Sequence, residues 1–131
     1  MSKVDWQELL GWTDDQLEEL RFSGFSFLRQ GHYPKAITFF KALCVLAPKS
    51  AYDLQTLGAL YLQTGATTKA LDFFNRALEI EPSHEPTLIN KVKALFMNNQ
   101  IDEALTLAQK LKASSDLAIR NDALALISTN T

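Results

Sequence analysis

Small and apolar residues recur along this chain at one fixed interval. Gly24 and Gly58, Gly31 and Gly65, Ala36, Ala70 and Ala104, Phe40 and Phe74, and Pro48 and Pro82 are each separated by 34 positions. A period of this size marks a repeat architecture, in which one supersecondary unit cannot bury its own apolar face and must stack on the next. Each unit reads as two helices and two turns. The first helix begins after Thr13, because Thr13 and Gln16 have the spacing of a capping box and Asp14 and Asp15 suit the positive end of a helix. It ends at Gly31, which accepts the left-handed turn conformation. Pro34 opens the second helix, where a missing N–H costs nothing, and that helix stops before Pro48. In the second unit Ser50 caps, Gly65 ends the first helix and Pro82 follows the second. In the third, Asn99 stands where the turn glycine would be, and Asn is the next-best residue for that backbone. Asp116 then caps one more helix. Small residues belong where paired helices approach: Gly24 with Ala36, Gly58 with Ala70, and Ala104 against the bulkier Val92. Phe27, Phe40, Tyr61 and Phe74 fill the space beside them. The expectation is an all-α solenoid of helical hairpins over about 17–50, 51–84 and 85–118, with a closing helix over about 117–128, all within a single domain of 1–131.

The two ends carry apolar residues of their own. Residues 4–12 hold Val4, Trp6, Leu9, Leu10 and Trp12. They are expected to pack on the first unit as a lid; the competing reading is that Trp6, Leu9, Leu10 and Trp12 drive self-association into a homodimer, since Trp is enriched at interface hot spots. The closing helix has Leu117, Leu124 and Ile127 near one stripe with Ala123 beside them, and Arg120, Asn121 and Asp122 opposite, as a capping element needs.

Composition narrows the function. The chain has 131 residues, a net charge of −2 and 47% hydrophobic residues. Without a basic excess it does not read as a nucleic-acid binder. No run approaches the roughly 18–20 apolar residues of a membrane span, and the N-terminus lacks the basic start and apolar core of a secretory signal. The single cysteine, Cys44, excludes an intramolecular disulfide and a multi-cysteine zinc site. A soluble, cytoplasmic protein is expected.

The chain offers little chemistry. His32 and His84 fall in turns, outside any metal-ligand spacing. Cys44 lies between Leu43 and Val45 with no His or Lys to activate it, so a buried structural thiol is expected. Asp14, Asp15, Glu18 and Glu19 read as a solvated helix start. The glycines sit at repeat spacing rather than in a phosphate-binding loop. No enzyme, cofactor or metal site is expected.

The repeated residues resemble the tetratricopeptide repeat. The second unit is the fullest copy, with Leu54, Leu57, Gly58, Tyr61, Ala70, Phe74, Ala77 and Pro82 in place. The first keeps Leu20, Gly24, Phe27, Ala36, Phe40 and Pro48, and the third Leu88, Leu95 and Ala104. The resemblance implies a curved scaffold whose first helices line a groove for a peptide or helix. By register that groove would be lined by Arg21, Phe25 and Leu28, then Tyr52, Gln55, Ala59, Leu62 and Gln63, then Ile89, Lys93, Phe96 and Met97, unless the chain's own ends cover them. Contiguous exposed apolar surface of this kind marks a binding site. Repeat co-chaperones that hold acidic tails use a carboxylate clamp, whose positions here are Arg21, Phe25, Thr56, Pro86 and Asn90. Only Arg21 suits a carboxylate, and the clamp is rejected.

A second resemblance is narrower. Ala42 to Pro48 (Ala-Leu-Cys-Val-Leu-Ala-Pro), Leu57 to Gly65, Ile80-Glu81-Pro82 and Glu85-Pro86 resemble the class II, or translocator, chaperones of bacterial type III secretion. That resemblance implies a chaperone that holds an apolar segment of a client translocator in its groove and keeps it soluble before export. Those chaperones carry a longer N-terminal helical region than the 16 residues that precede the first unit here. The alternatives are a needle-subunit chaperone and a generic repeat scaffold inside a larger assembly.

Overall fold

A computed structural model describes residues 4–130, and every regular element among them is α-helical. A four-residue helix, α1 (Trp6–Leu9), precedes three helical hairpins. These are α2 (Asp14–Arg29) with α3 (Tyr33–Leu46), α4 (Ala51–Gln63) with α5 (Thr67–Ile80), and α6 (Glu85–Met97) with α7 (Ile101–Leu111). A last helix, α8 (Leu117–Thr129), closes the stack. Each hairpin packs internally, and α3 on α4, α5 on α6 and α7 on α8 join one hairpin to the next.

The helix ends follow from local chemistry. Thr13 and Gln16 form the reciprocal capping box on α2, at 3.1 and 2.9 Å. Ser50 accepts from the Asp53 amide at the start of α4, and Asp116 accepts from the Ala118 and Ile119 amides at the start of α8. Gly31, Gly65 and Asn99 all take positive φ, at 78°, 84° and 61°. Asn99 thus makes the same left-handed turn as its two glycine counterparts, because its short side chain tolerates that backbone. His32 and His84 both sit just before a helix. His84 Nδ1 shares a 2.7 Å hydrogen bond with Thr87 Oγ1, so it serves its own helix start.

The close approaches within hairpins involve rings more than small residues. A Cβ on Gly58 would lie 2.7 Å from the Phe74 ring and 3.3 Å from the Ala70 carbonyl oxygen. One on Gly24 would lie 2.9 Å from the Phe40 ring. Glycine is required because a fully buried phenyl ring of the second helix packs directly against the first; Ala36 and Ala70 are secondary. Burying rings such as Phe40 and Phe74 contributes roughly 1.5–3 kcal/mol each.

The core divides in two. The larger cluster joins the first two hairpins through Leu17, Ala36, Phe40, Leu43, Leu54, Leu57, Leu60, Tyr61, Ala70, Phe74 and Ala77, and reaches Ala94 of α6. The smaller one holds Ile89, Val92, Ala108, Leu111, Ile119 and Ala123, so α8 supplies to the third hairpin what a fourth would supply. The stripe that α8 buries differs from the expected one. Ile119 and Ala123 are buried and Leu126 and Ile127 pack beside them, while Leu117 and Leu124 stay exposed. Leu117 is the first residue of the helix, and Leu124 follows Ala123 by about 100° around the axis, which turns both away from α6 and α7.

The N-terminal segment is less of a lid than expected. Trp12 packs on the larger cluster, but Val4, Trp6, Leu9 and Leu10 are exposed. A four-residue helix ended by Gly11 at positive φ is too short to bury a face.

Candidate peptide-binding groove

The first helices of the hairpins and α8 form one side of the stack. An ion pair ties α2 to α4, and α4 touches α6, which touches α8. At the far end of this side, Leu62 and Gln63 of α4, Lys93, Phe96 and Met97 of α6, Leu126 of α8 and Asn130 just after it line a space of about 580 Å³. Five residues from two helices one repeat interval apart are brought together there, as helices at a common interval require. Leu126 and Asn130 are additions that the repeat register could not supply, because α8 lies outside the repeats.

The remaining expected residues are placed differently. Tyr52 is exposed, its ring edge-to-face with that of Phe40 at 6.5 Å between centroids, and Ala59 and Gln55 are half-buried on α4. Phe25 is exposed on α2 with the Arg29 guanidinium 6.0 Å over its ring, and Leu28 is half-buried. Phe22, 73% exposed, extends the Phe25 surface and was absent from the register reading. Its spacing of three from Phe25 on one helix was the available signal.

Two expected lining residues are corrected. Ile89 is buried in the smaller cluster, because α8 packs across that part of α6, and it offers nothing to a ligand. Arg21 is already engaged. Its Nε and Nη2 donate to Asp53 Oδ1 and Oδ2 at 2.7 and 2.6 Å, and its Nη1 pairs with Glu18. Hydrogen bonding to Asp53 holds the guanidinium above its already high ordinary range. Asp53 is fully buried. The one residue that suited a carboxylate clamp is thus neutralised within the fold, and Thr56, at another clamp position, is buried.

Among the described residues no group of His, Cys, Asp and Glu is arranged to hold a metal ion. Cys44 is buried, and desolvation, with a smaller contribution from Asp53, pushes its thiol up to about 12. No helix among the described residues is long and apolar enough to cross a membrane.

Known proteins share this architecture. The CopN-Scc3 complex contains a chain matched with a TM-score of 0.83 at 15% identity, over 100% of this chain and 78% of that one. PcrH in complex with the chaperone binding region of PopD matches at 0.80 and 21% identity, over 91% of each chain. The type III secretion translocator chaperone SycD of Yersinia enterocolitica matches at 0.76 and 23%, over 98% and 97%. At such identities the likeness speaks for the fold. In sequence, the BBSome complex member BBS4 of Bos taurus is 31% identical over 83 residues, 63% of this chain. The chain spans 14–16% of the length of the curated relatives it matches. Residues 29–115 match the family described as "Anaphase-promoting complex, cyclosome, subunit 3". That match covers well over half of the chain, which therefore belongs to this family of tetratricopeptide-repeat proteins.

Proposed function

We propose that this chain is a peptide-binding chaperone that holds an apolar segment of a client protein along α2, α4, α6 and α8, and that its client is a translocator of a type III secretion system. The observation that carries the reading is the space lined by Leu62, Phe96, Met97 and Leu126, on a fold shared with PcrH in complex with the chaperone binding region of PopD. Phe22, Phe25 and Tyr52 extend the apolar surface toward the first hairpin. The mechanism is coverage: an apolar segment that would otherwise aggregate is sheltered until it is handed on. Binding alone accomplishes this.

Co-expression with a hydrophobic translocator from the same genome tests the reading. The soluble fraction of the client is expected to rise with the chain present. Leu62→Asp and Phe96→Glu are expected to abolish the rise while keeping the helical content of the parent; because both side chains also pack on the core, their melting temperatures should fall without loss of the fold at working temperature. A client that is equally soluble without the chain, or with either variant, refutes it.

A second reading is a scaffold within a larger protein assembly. It is favoured by the 31% identity to a BBSome member, which exceeds the identity to the secretion chaperones. It predicts a stable stoichiometric complex with a folded partner helix and no effect on translocator solubility. The exposed Trp6, Leu9 and Leu10 would serve self-association in either case.

A further inference from the structure

The space between α4, α6 and α8 has an electrostatic character that the rest of the binding side lacks. Arg21 is neutralised by Asp53 and Glu18, and Arg29 stacks over Phe25. Lys93 is half-buried beside Leu62, Phe96 and Met97, and among the described residues it has neither an ion pair nor a hydrogen bond. Gln63, lining the same space, likewise has no side-chain partner among the described residues. The Asn130 amide is not free in the same way, because its Nδ2 donates to the Leu126 carbonyl and to Thr129. No carboxylate among the described residues lines the space. Asp122, one turn before Leu126 on α8, is exposed and does not reach it. Glu85, at the start of α6, accepts from Ser114 instead.

Lys93 is half-buried among apolar groups, so an opposite charge placed on it is screened less than at an open surface. Lys93 brings three donors and Gln63 two, and a carboxylate offers about four acceptor sites. The two side chains are therefore complementary to one ionised carboxyl group with apolar surroundings.

Building on the reading of this surface as a peptide groove, we propose that the space between α4, α6 and α8 takes an Asp or Glu side chain of the bound client segment. Its carboxylate rests on Lys93 and Gln63, and its apolar neighbours rest on Leu62, Phe96, Met97 and Leu126. The client is then an apolar segment punctuated by an acidic residue, rather than a uniformly apolar one. The position is separate from the rejected clamp, whose third-repeat positions are Pro86 and Asn90.

The test uses blocked, fluorescein-labelled peptides of the form acetyl-Gly-Ser-Leu-Ala-Leu-X-Leu-Ser-Gly-amide, with X as Glu, Gln or Lys, titrated with the full chain by fluorescence anisotropy. The Glu peptide is expected to bind about tenfold tighter than the Gln peptide, with the Lys peptide weakest. Lys93→Met is expected to erase the Glu preference, so that the Glu and Gln peptides bind within about twofold of each other. Lys93→Glu is expected to reverse the order. Circular dichroism melts of both variants establish that they fold. Equal binding of the Glu and Gln peptides, or a Glu preference that survives in Lys93→Met, overturns the acidic-residue proposal and leaves the apolar groove standing. Failure of all three peptides to bind overturns both.

Discussion

Removing Arg21 should cost this fold more than removing the carboxylate that Arg21 grips. The two substitutions break the same pair but strand different groups. Asp53 is fully buried, and its two oxygens accept the Arg21 donors at 2.7 and 2.6 Å. In Arg21→Ala the carboxylate keeps its burial and loses both partners, the situation that costs about 3–5 kcal/mol when one member of a buried pair is deleted. In Asp53→Ala the guanidinium keeps its contact with Glu18, and its side chain is already 18% exposed, so it can turn to water. That loss is limited to charge-assisted hydrogen bonds and a small cavity, about 1–3 kcal/mol. Domains of this size have a total stability of about 5–15 kcal/mol, so the first substitution removes a large part of it. The assay is urea unfolding followed by circular dichroism at neutral pH for the parent, the two single variants and the pair Arg21→Met with Asp53→Leu. The double variant should recover most of the loss, because an apolar pair of similar volume leaves no charge stranded. An Arg21→Ala cost below about 1 kcal/mol, the range of surface ion pairs, would refute the reasoning. So would an Asp53→Ala cost above that of Arg21→Ala.

Three further outcomes are expected. Gly58→Ala should destabilise by about 1–3 kcal/mol despite the better helix propensity of alanine, because its Cβ meets the Phe74 ring at 2.7 Å; Gly24→Ala, at 2.9 Å, should cost less, and thermal melts of the two will rank them. Cys44 should not react with a thiol reagent at pH 8 until the protein is unfolded, since its thiol is raised to about 12 by burial. A thiol raised in the folded state leaves stability intact below the unfolded value of about 8.5, and stability should then fall as pH climbs from there toward 12; Cys44→Ala should flatten that slope.

Much of this protein is legible in its sequence because the determinants are local. Capping by Thr13, Ser50 and Asp116 needs only side chains within three residues of the amides they bind. The left-handed turns at Gly31, Gly65 and Asn99 are properties of single residues. The 34-residue period then fixes the number of hairpins and the register of their first helices, and with it the meeting of Leu62, Gln63, Lys93, Phe96 and Met97. What the sequence left undecided depends on distance through space. Nothing in the period says that Arg21 finds Asp53, 32 positions away, and is thereby lost to any ligand. Nor does it say that α8 covers Ile89 and lends Leu126 to the pocket, or that Trp6, Leu9 and Leu10 remain on the surface. Repeats repeat their local energetics, but partnership across hairpins and the packing of the two non-repeating ends are set by which faces meet once the stack has formed, and only the tertiary structure contains that.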